Sequence, residues 1–286
     1  MSLSDGPFRR IAIIGTGLIG GSWGLALKRS GFGGVRVGSD SATVLRQALA
    51  AGAIDRAEED PRRAVQGADL VILAAPVGAI LQLLPQLQGA AAPGALITDT
   101  GSTKAMICRE SKRIFGGSPL FLGGHPMAGR ERSGVEYADE ALFEDACYVL
   151  TPTSEDDLSD RRVIAFRDLA ASLGARVLIM DAALHDQAVG WLSHLPQLAS
   201  TALASVIEAQ PGLPLDVAAS GFRDATRLAE SPYLLWRDIC ATNRENIRQS
   251  LDAFIAKLQT LRDHLADETL EREFEQAQKL RLRMKA

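Results

Sequence analysis

The sequence predicts an α/β protein in two parts, an N-terminal doubly wound, mainly parallel sheet followed by a C-terminal all-α region. Three observations predict it. Short runs of Ile, Leu and Val recur through the first part of the chain without polar alternation, the pattern of strands covered on both faces. The stretches between them are long enough for crossover helices. After Met180 the strand pattern stops and only helical periodicity remains. The division falls near Asp181, giving an α/β domain over 1–181 and a helical domain over 182–286.

The elements follow in order. Strands are expected at 11–14, 35–38, 70–74, 95–98, 120–122, 148–151 and 176–180. Helices are expected at 18–28 and 103–115, among others. A long helical pattern covers 182–210, with Leu184, Ala188, Trp191, Leu195, Leu198 and Ala202 on one side. Leu192, Ala199, Leu203 and Val206 widen that face until the helix is apolar around most of its circumference, so more than one neighbour must bury it. Pro196 inside it predicts a kink. Ser231-Pro232 reads as an N-cap followed by proline at the first helical position. A last pattern runs through Ile247, Leu251, Phe254, Leu258, Leu261 and Leu265.

Composition excludes several classes. The 286 residues are 47% hydrophobic and 23% charged with a net charge of -4, so no basic field argues for nucleic acid or an anionic membrane. Lys279, Arg281, Arg283 and Lys285 read as a solvated helix end. Cys108, Cys147 and Cys240 are odd in number and dispersed, which fits a reducing compartment and argues against a disulfide framework or a zinc site. With no export signal at the N-terminus and no long uncharged apolar run, the expected location is the cytoplasm.

Gly15-Thr-Gly17-Leu18-Ile19-Gly20 matches the dinucleotide fingerprint, and its context strengthens it, because a strand precedes it and a helix follows. Gly15 permits the tight turn, Gly17 lets the backbone approach a pyrophosphate, and Gly20 lets helix and strand pack closely. The phosphates then sit on the helix N-terminus, at the Leu18 and Ile19 end. Asp40, after the second strand, suits the adenosine ribose hydroxyls and repels a 2′-phosphate, so NAD is favoured over NADP. Arg36 and Arg46 nearby keep NADP as the lesser alternative. Ala75 and Pro76, past the strand 70–74, are read as part of the same cofactor site.

Two further loops end strands, where ligands bind in open parallel sheets. One is Asp99-Thr-Gly-Ser102-Thr-Lys104; the other is Gly123-Gly-His125-Pro-Met-Ala-Gly129. His125 suits alcohol oxidation, because an unperturbed pKa of about 6.5 lets it take a hydroxyl proton near neutrality. Ser102 either orients that hydroxyl or caps the helix that follows.

These segments together resemble the prephenate/arogenate (cyclohexadienyl) dehydrogenase family: Gly15-Thr-Gly-Leu-Ile-Gly-Gly-Ser22, Gly-Ser-Thr-Lys104, Gly-Gly-His125-Pro-Met-Ala-Gly129, Leu184-His-Asp186, Ser193-His-Leu-Pro196, Gly221-Phe-Arg-Asp-Ala-Thr-Arg227 and Trp236-Arg-Asp238. The resemblance covers essentially the whole chain, in order. It implies oxidative decarboxylation of a cyclohexadienyl acid with hydride transfer to NAD, on the route to tyrosine. It implies His125 as the catalytic histidine, with Ser102 helping to hold the substrate hydroxyl. It makes Arg227 the arginine that binds the ring carboxylate and His194 a histidine opening onto the cleft. Where some relatives carry a second histidine, three positions after His194, this chain has Gln197. Arg130, where some relatives have threonine, and the adjacent Glu131 are expected near the substrate side chain.

From the residues alone, other readings stay open. His185 and Asp186 open a helix after a strand, where Asp186 reads first as satisfying first-turn N–H groups. His194 reads equally well as a buried, hydrogen-bonded side chain. Arg223, Asp224 and Arg227 would also make a surface ion-pair cluster. The proposed chemistry calls for no metal, since the carbonyl formed by oxidation is the electron sink for loss of carbon dioxide. The acid limb of activity is expected at an apparent pKa of roughly 6–7, that of a histidine. A homodimer built on the helical domain is expected to cover its apolar helix. The rivals are another small-acid or imine dehydrogenase of the same architecture and an NAD-sensing module without turnover.

Overall fold

A computed structural model describes residues 7–129 and 132–284. Among them the strands are β1 (Arg10–Ile14), β2 (Val35–Ser39), β3 (Arg56–Ala57), β4 (Leu70–Leu73), β5 (Leu96–Asp99), β6 (Leu120–Pro126), β7 (Cys147–Pro152) and β8 (Arg176–Ile179). The helices of this half are α1 (Leu18–Arg29), α2 (Ala42–Ala51), α3 (Pro61–Ala64), α4 (Val77–Leu87), α5 (Ala105–Phe115) and α6 (Arg161–Ser172). One sheet holds all these strands in the order β3-β2-β1-β4-β5-β6-β7-β8. β1 to β6 pair in parallel, β7 pairs antiparallel with β6, and β8 runs parallel to β7. The expected doubly wound, mainly parallel sheet is therefore present.

Its strands are apolar on both faces because both faces are covered. Ile11, Ile13, Leu70 and Ile72 pack on one side with Trp23 and Leu27 of α1 and Phe166 of α6. Ala12, Ile14, Val71 and Leu73 pack on the other with Ile80 and Leu84 of α4 and Ile107 of α5. Burying each large apolar side chain stabilises by about 1.5–3 kcal/mol, so both layers contribute.

Two differences from the expected elements bear on the site. β3 has both residues exposed, so no apolar run announces it. More consequentially, β6 continues through His125 to Pro126, where a loop was expected after Leu122. β7 holds it extended, with His125 opposite Val149. The glycines before His125 allow close approach rather than a turn. A Cβ on Gly124 would lie 2.6 Å from the Asp99 carbonyl oxygen, and one on Gly123 would lie 2.2 Å from Thr151 Oγ1.

The second half comprises α7 (Ala182–Val189), a π-helical turn (Gly190–His194), α8 (Leu195–Glu208), α9 (Ser220–Thr226), α10 (Tyr233–Thr242), α11 (Arg244–Asp263) and α12 (Glu268–Arg283). The π turn lies just before Pro196, where a kink was expected. Proline has no N–H to give an α-helical bond and its ring crowds the carbonyl four residues back, and a widened turn relieves both. α10 begins one residue later than expected, with Pro232 at the cap position and no side-chain capping bond from Ser231. No described helix is long and apolar enough to cross a membrane.

The face that α7 and α8 turn inward is not the one periodicity selected. His185, Asp186, Val189, Gly190, His194, Gln197 and Ser200 are buried. Leu184 (53%), Leu192 (79%) and Val206 (59%) of the apolar face are exposed. A mostly polar stripe faces the rest of the chain, and the apolar stripe faces away from it.

Candidate active site

The glycine turn joins β1 to α1. Gly15 has φ +89°, a conformation that L side chains rarely adopt, and a Cβ there would meet the Ala74 carbonyl oxygen at 2.3 Å. Its N–H donates to Ser39 O at 2.8 Å, which ties the turn to β2. A Cβ on Gly20 would lie 1.9 Å from Gly15 O, so α1 stacks directly on the turn. Nothing lies within 4 Å of a Cβ on Gly17, which leaves space over the helix N-terminus. α1 has neither a capping side chain nor an acidic residue in its first turn. Its first N–H groups, at Leu18 and Ile19, and its dipole are thus available to an anion.

Asp40 stands beside this turn, its Oδ2 accepting from Thr16 N at 2.8 Å and its Oδ1 from Ser41 N at 2.7 Å. A carboxylate has about four lone-pair sites, so room remains for ribose hydroxyls. Ala75 and Pro76 follow β4 and lead into α4, with the Ala74–Ala75 backbone against Gly15. Arg36 does not face this site. It is buried, its Nη2 lying 2.6 Å from Asp55 Oδ1 while Nη1 donates to Gly24 O at 2.8 Å and Gly52 O at 3.0 Å. That arginine is spent on holding β2 to α1, and Arg46 alone remains of the cations considered for a 2′-phosphate. A bare helix N-terminus, open space at Gly17 and an adjacent carboxylate fit an NAD pyrophosphate and ribose.

His125 sits on β6, 8% exposed. Its Nδ1 is 2.9 Å from Nε2 of His185, and the two rings meet at 72°. His185 Nδ1 is 2.8 Å from Asp186 Oδ1. Asp186 also accepts from Lys104 N at 2.7 Å and Ala105 N at 2.9 Å, so it caps α5, a helix in the other half of the chain. Asp186 therefore does satisfy first-turn N–H groups, but those of a different helix. α5 starts at Ala105, so Ser102 is not its cap and stands half-buried in the loop before it. Beneath that loop, Lys104 and Asp99 form a fully buried ion pair. Asp99 also accepts from Gly101 N at 2.8 Å and Gly124 N at 3.1 Å, which locks the loop to β6 beside His125.

Burial holds the His125 pKa well below the ordinary histidine value, and the neighbouring Lys104 ammonium and the His185 and His194 rings push the same way, each disfavouring a second positive charge there. That direction places the expected acid limb of activity below a histidine's usual pKa. Burial likewise lowers His194 to about 4, against the opposing pull of Asp186.

His194 does not open to solvent. It is 1% exposed, with Nδ1 3.1 Å from Asn243 Nδ2 and its ring edge-on to Trp236. Asn243 Nδ2 also donates to Asp186 O at 2.7 Å, so His194 and the His125 chain share one buried network. Arg227 is exposed and begins a short 3-10 turn, Arg227–Glu230. Gln197 Nε2 donates to Leu228 O at 2.7 Å, fastening that turn to α8. Arg130 and Glu131 lie outside the described residues.

Sequence reasoning passed over Asp99, Lys104, Asn243 and Asp238 as site residues. Asp238 accepts from Gly78 N at 3.0 Å, bridging α10 to the start of α4 beside Pro76. The one available signal was the set of polar residues His185, Asp186, His194 and Gln197 recurring on one side of a helix, opposite its apolar face.

A doubly wound domain with an open phosphate-binding turn, met at a buried histidine by a second, helical domain, defines a two-domain nucleotide-dependent dehydrogenase. Residues 23–179 match the family model of the prephenate dehydrogenase nucleotide-binding domain, and residues 181–280 that of the prephenate dehydrogenase dimerization domain. The chain belongs to the prephenate dehydrogenase family. It is 39% identical to a prephenate dehydrogenase of Lactococcus lactis subsp. cremoris, over 96% of this chain and 77% of that one. It is 33% identical to a cyclohexadienyl dehydrogenase of Zymomonas mobilis subsp. mobilis, over 97% of each. The solved prephenate dehydrogenase of A. aeolicus, in complex with hydroxyphenyl propionate and NAD+, superposes with a TM-score of 0.85 at 30% identity, covering 96% of this chain and 97% of that one.

Proposed function

We propose that the chain catalyses NAD-dependent oxidative decarboxylation of prephenate, arogenate or both, yielding 4-hydroxyphenylpyruvate or tyrosine. The observation that carries this reading is His125, a buried base engaged through Nδ1 and placed on the strand next to the Ser102 loop. NAD, when bound on the glycine turn, accepts the hydride. His125 Nε2 takes the substrate hydroxyl proton, and as imidazolium it stabilises the ring oxygen while negative charge develops there. Ser102 orients the same hydroxyl. Arg227 offers a planar fork matched to the ring carboxylate, and Gln197 holds its turn against α8. Arg130 and Glu131 are assigned to the substrate side chain, His194 backs the site from the buried Asn243–Asp186 network, and Gly15, Gly17, Gly20, Asp40, Ala75 and Pro76 form the cofactor site.

The working form is a homodimer joined through the helical domain. The exposed apolar face of α7 and α8 supports this, as does the dimerization-domain match of the same residues. Three free, dispersed cysteines accord with a cytoplasmic enzyme. Steady-state kinetics with both substrates and both cofactors tests the activity, with appearance of the aromatic product as readout. Absence of turnover with both cyclohexadienyl acids would defeat it.

A further inference from the structure

We propose that His185 and Asp186 form a relay that fixes which nitrogen of His125 carries the proton and shares the charge His125 gains in turnover. The proposal rests on His125 being the base. A carboxylate only accepts, so the nitrogen of His185 that faces Asp186, Nδ1, carries a hydrogen. With His185 neutral, its Nε2 is then a bare acceptor, and the nitrogen of His125 opposite it must be the donor. His125 therefore holds its hydrogen on Nδ1 and presents an unprotonated Nε2. That is the tautomer a general base needs, and it is set two side chains away.

Capping α5 does not account for this arrangement. The cap is complete once Asp186 accepts from Lys104 N and Ala105 N, yet Oδ1 also meets His185. His185 and Asp186 are 1% and 2% exposed, so no water competes for these bonds. The groups facing the relay are Lys104, which immediately precedes α5 and is already paired with Asp99, and His194 with Asn243 from the helical domain. Asp186 is the one carboxylate of this set that bonds an imidazole of the chain.

In the reaction the substrate O–H bond breaks and an N–H bond forms at His125 Nε2. The cation keeps its Nδ1–H directed at His185, and the Asp186 carboxylate lies behind to balance the charge. The same proton returns to the ring oxygen as the ring becomes aromatic, leaving His125 as it began. Because α7 supplies the relay and β6 the base, His125 is oriented only while the helical domain is packed on α5.

Two experiments test the relay. Long-range 15N–1H spectra of histidine-labelled protein above pH 7, assigned with His125→Asn and His185→Gln, read the tautomer directly. The expected spectrum shows His125 protonated at Nδ1 and bare at Nε2; a hydrogen on Nε2 overturns the relay. In kinetics, His185→Leu should lower kcat by about 10²-fold or more, with the NAD KM within about threefold of the parent. His185→Gln, whose amide oxygen can still accept from Nδ1–H, should recover most of that loss. Unchanged kcat in His185→Leu, or no rescue by His185→Gln, removes the positioning role. If His125→Asn kept its kcat while the spectrum matched expectation, the base assignment would fail and the hydrogen-bond chain would stand.

Discussion

The sheet of the first half and the α7–α8 segment of the second differ in which side chains they turn inward. In the sheet domain, apolar side chains go inward on both faces, as Ile13 and Ile14 do with α1 on one side and α4 on the other. In the helical domain, α7 and α8 bury His185, Asp186, His194 and Gln197 while Leu192 and Val206 are exposed. The first half is a scaffold that closes its own core. The second turns a mostly polar stripe of α7 and α8 inward and leaves their apolar face exposed, the face the proposed dimer would cover. Amphipathic periodicity therefore reports that a helix has two faces, and does not say which one the chain itself covers.

The largest expected effect lies where the two halves meet. His125→Asn should lower kcat by about 10²–10⁴-fold with little change in NAD affinity. A variant that kept more than about a third of kcat, with chemistry rate-limiting, would move the base to His194 and redraw the site within the helical domain.

The contrast in burial has a direct test in paired substitutions. Ile13→Ala should destabilise the fold by about 2–5 kcal/mol in urea titrations. Leu192→Ala should change the stability of the dilute monomer by no more than about 0.5 kcal/mol, and instead weaken self-association in sedimentation. If the unmutated protein sediments as a monomer at micromolar concentration, the apolar face serves some other end and the comparison breaks.

The proposed site also draws one electrostatic contact to its ligands from each half. In the proposed site Arg227 would meet a carboxylate already charged in the ground state, so Arg227→Ala should raise the substrate KM by about tenfold or more with a smaller change in kcat. An unchanged KM would place the carboxylate elsewhere. In the sheet domain, Asp40→Ser should weaken NAD binding by about tenfold, one charged hydrogen bond being worth about 1.5–3 kcal/mol. Equal kcat/KM for NADP in the unmutated protein would remove the stated role of Asp40.

The smallest effect is a pH dependence. Both His125 and His194 have folded pKa values below the unfolded value of about 6.5. The unfolded chain thus binds more protons, and the stability these histidines contribute is present above that value and lost below it. For His194 the loss should develop down to about 4. Urea midpoints at pH 7.5 and pH 5 should therefore differ, the latter being lower, and the acid limb of kcat should fall below the ordinary histidine range. Equal midpoints, or a limb at an unshifted histidine value, would contradict the burial described for these rings.

The legible parts of the site were those made by neighbours in sequence. The turn at Gly15, Gly17 and Gly20 could be read because a strand, a turn and a helix N-terminus are consecutive, and their geometry constrains residue type locally. His125 stood out by its glycine neighbours, although they serve close packing in β6 rather than a loop. Asp186 could not be given its role, because its partners Lys104 and Ala105 are 82 and 81 residues away. Arg36 was misjudged for the same reason, since proximity to Asp40 in sequence says nothing of Asp55 and the Gly24 and Gly52 carbonyls that hold it.

By itself, then, the sequence determined the alternation of strand and helix, the phosphate-binding turn and the candidate base, because backbone geometry and the 2.0 and 3.6 periodicities act over a few residues. Only the tertiary structure decided which face of α7 and α8 turns inward, that β6 runs on through His125, and that Asp186 lies behind His185. Those outcomes depend on where α7 lands against α5. Two helices far apart in sequence meet there because a buried carboxylate needs partners and the first N–H groups of α5 supply them.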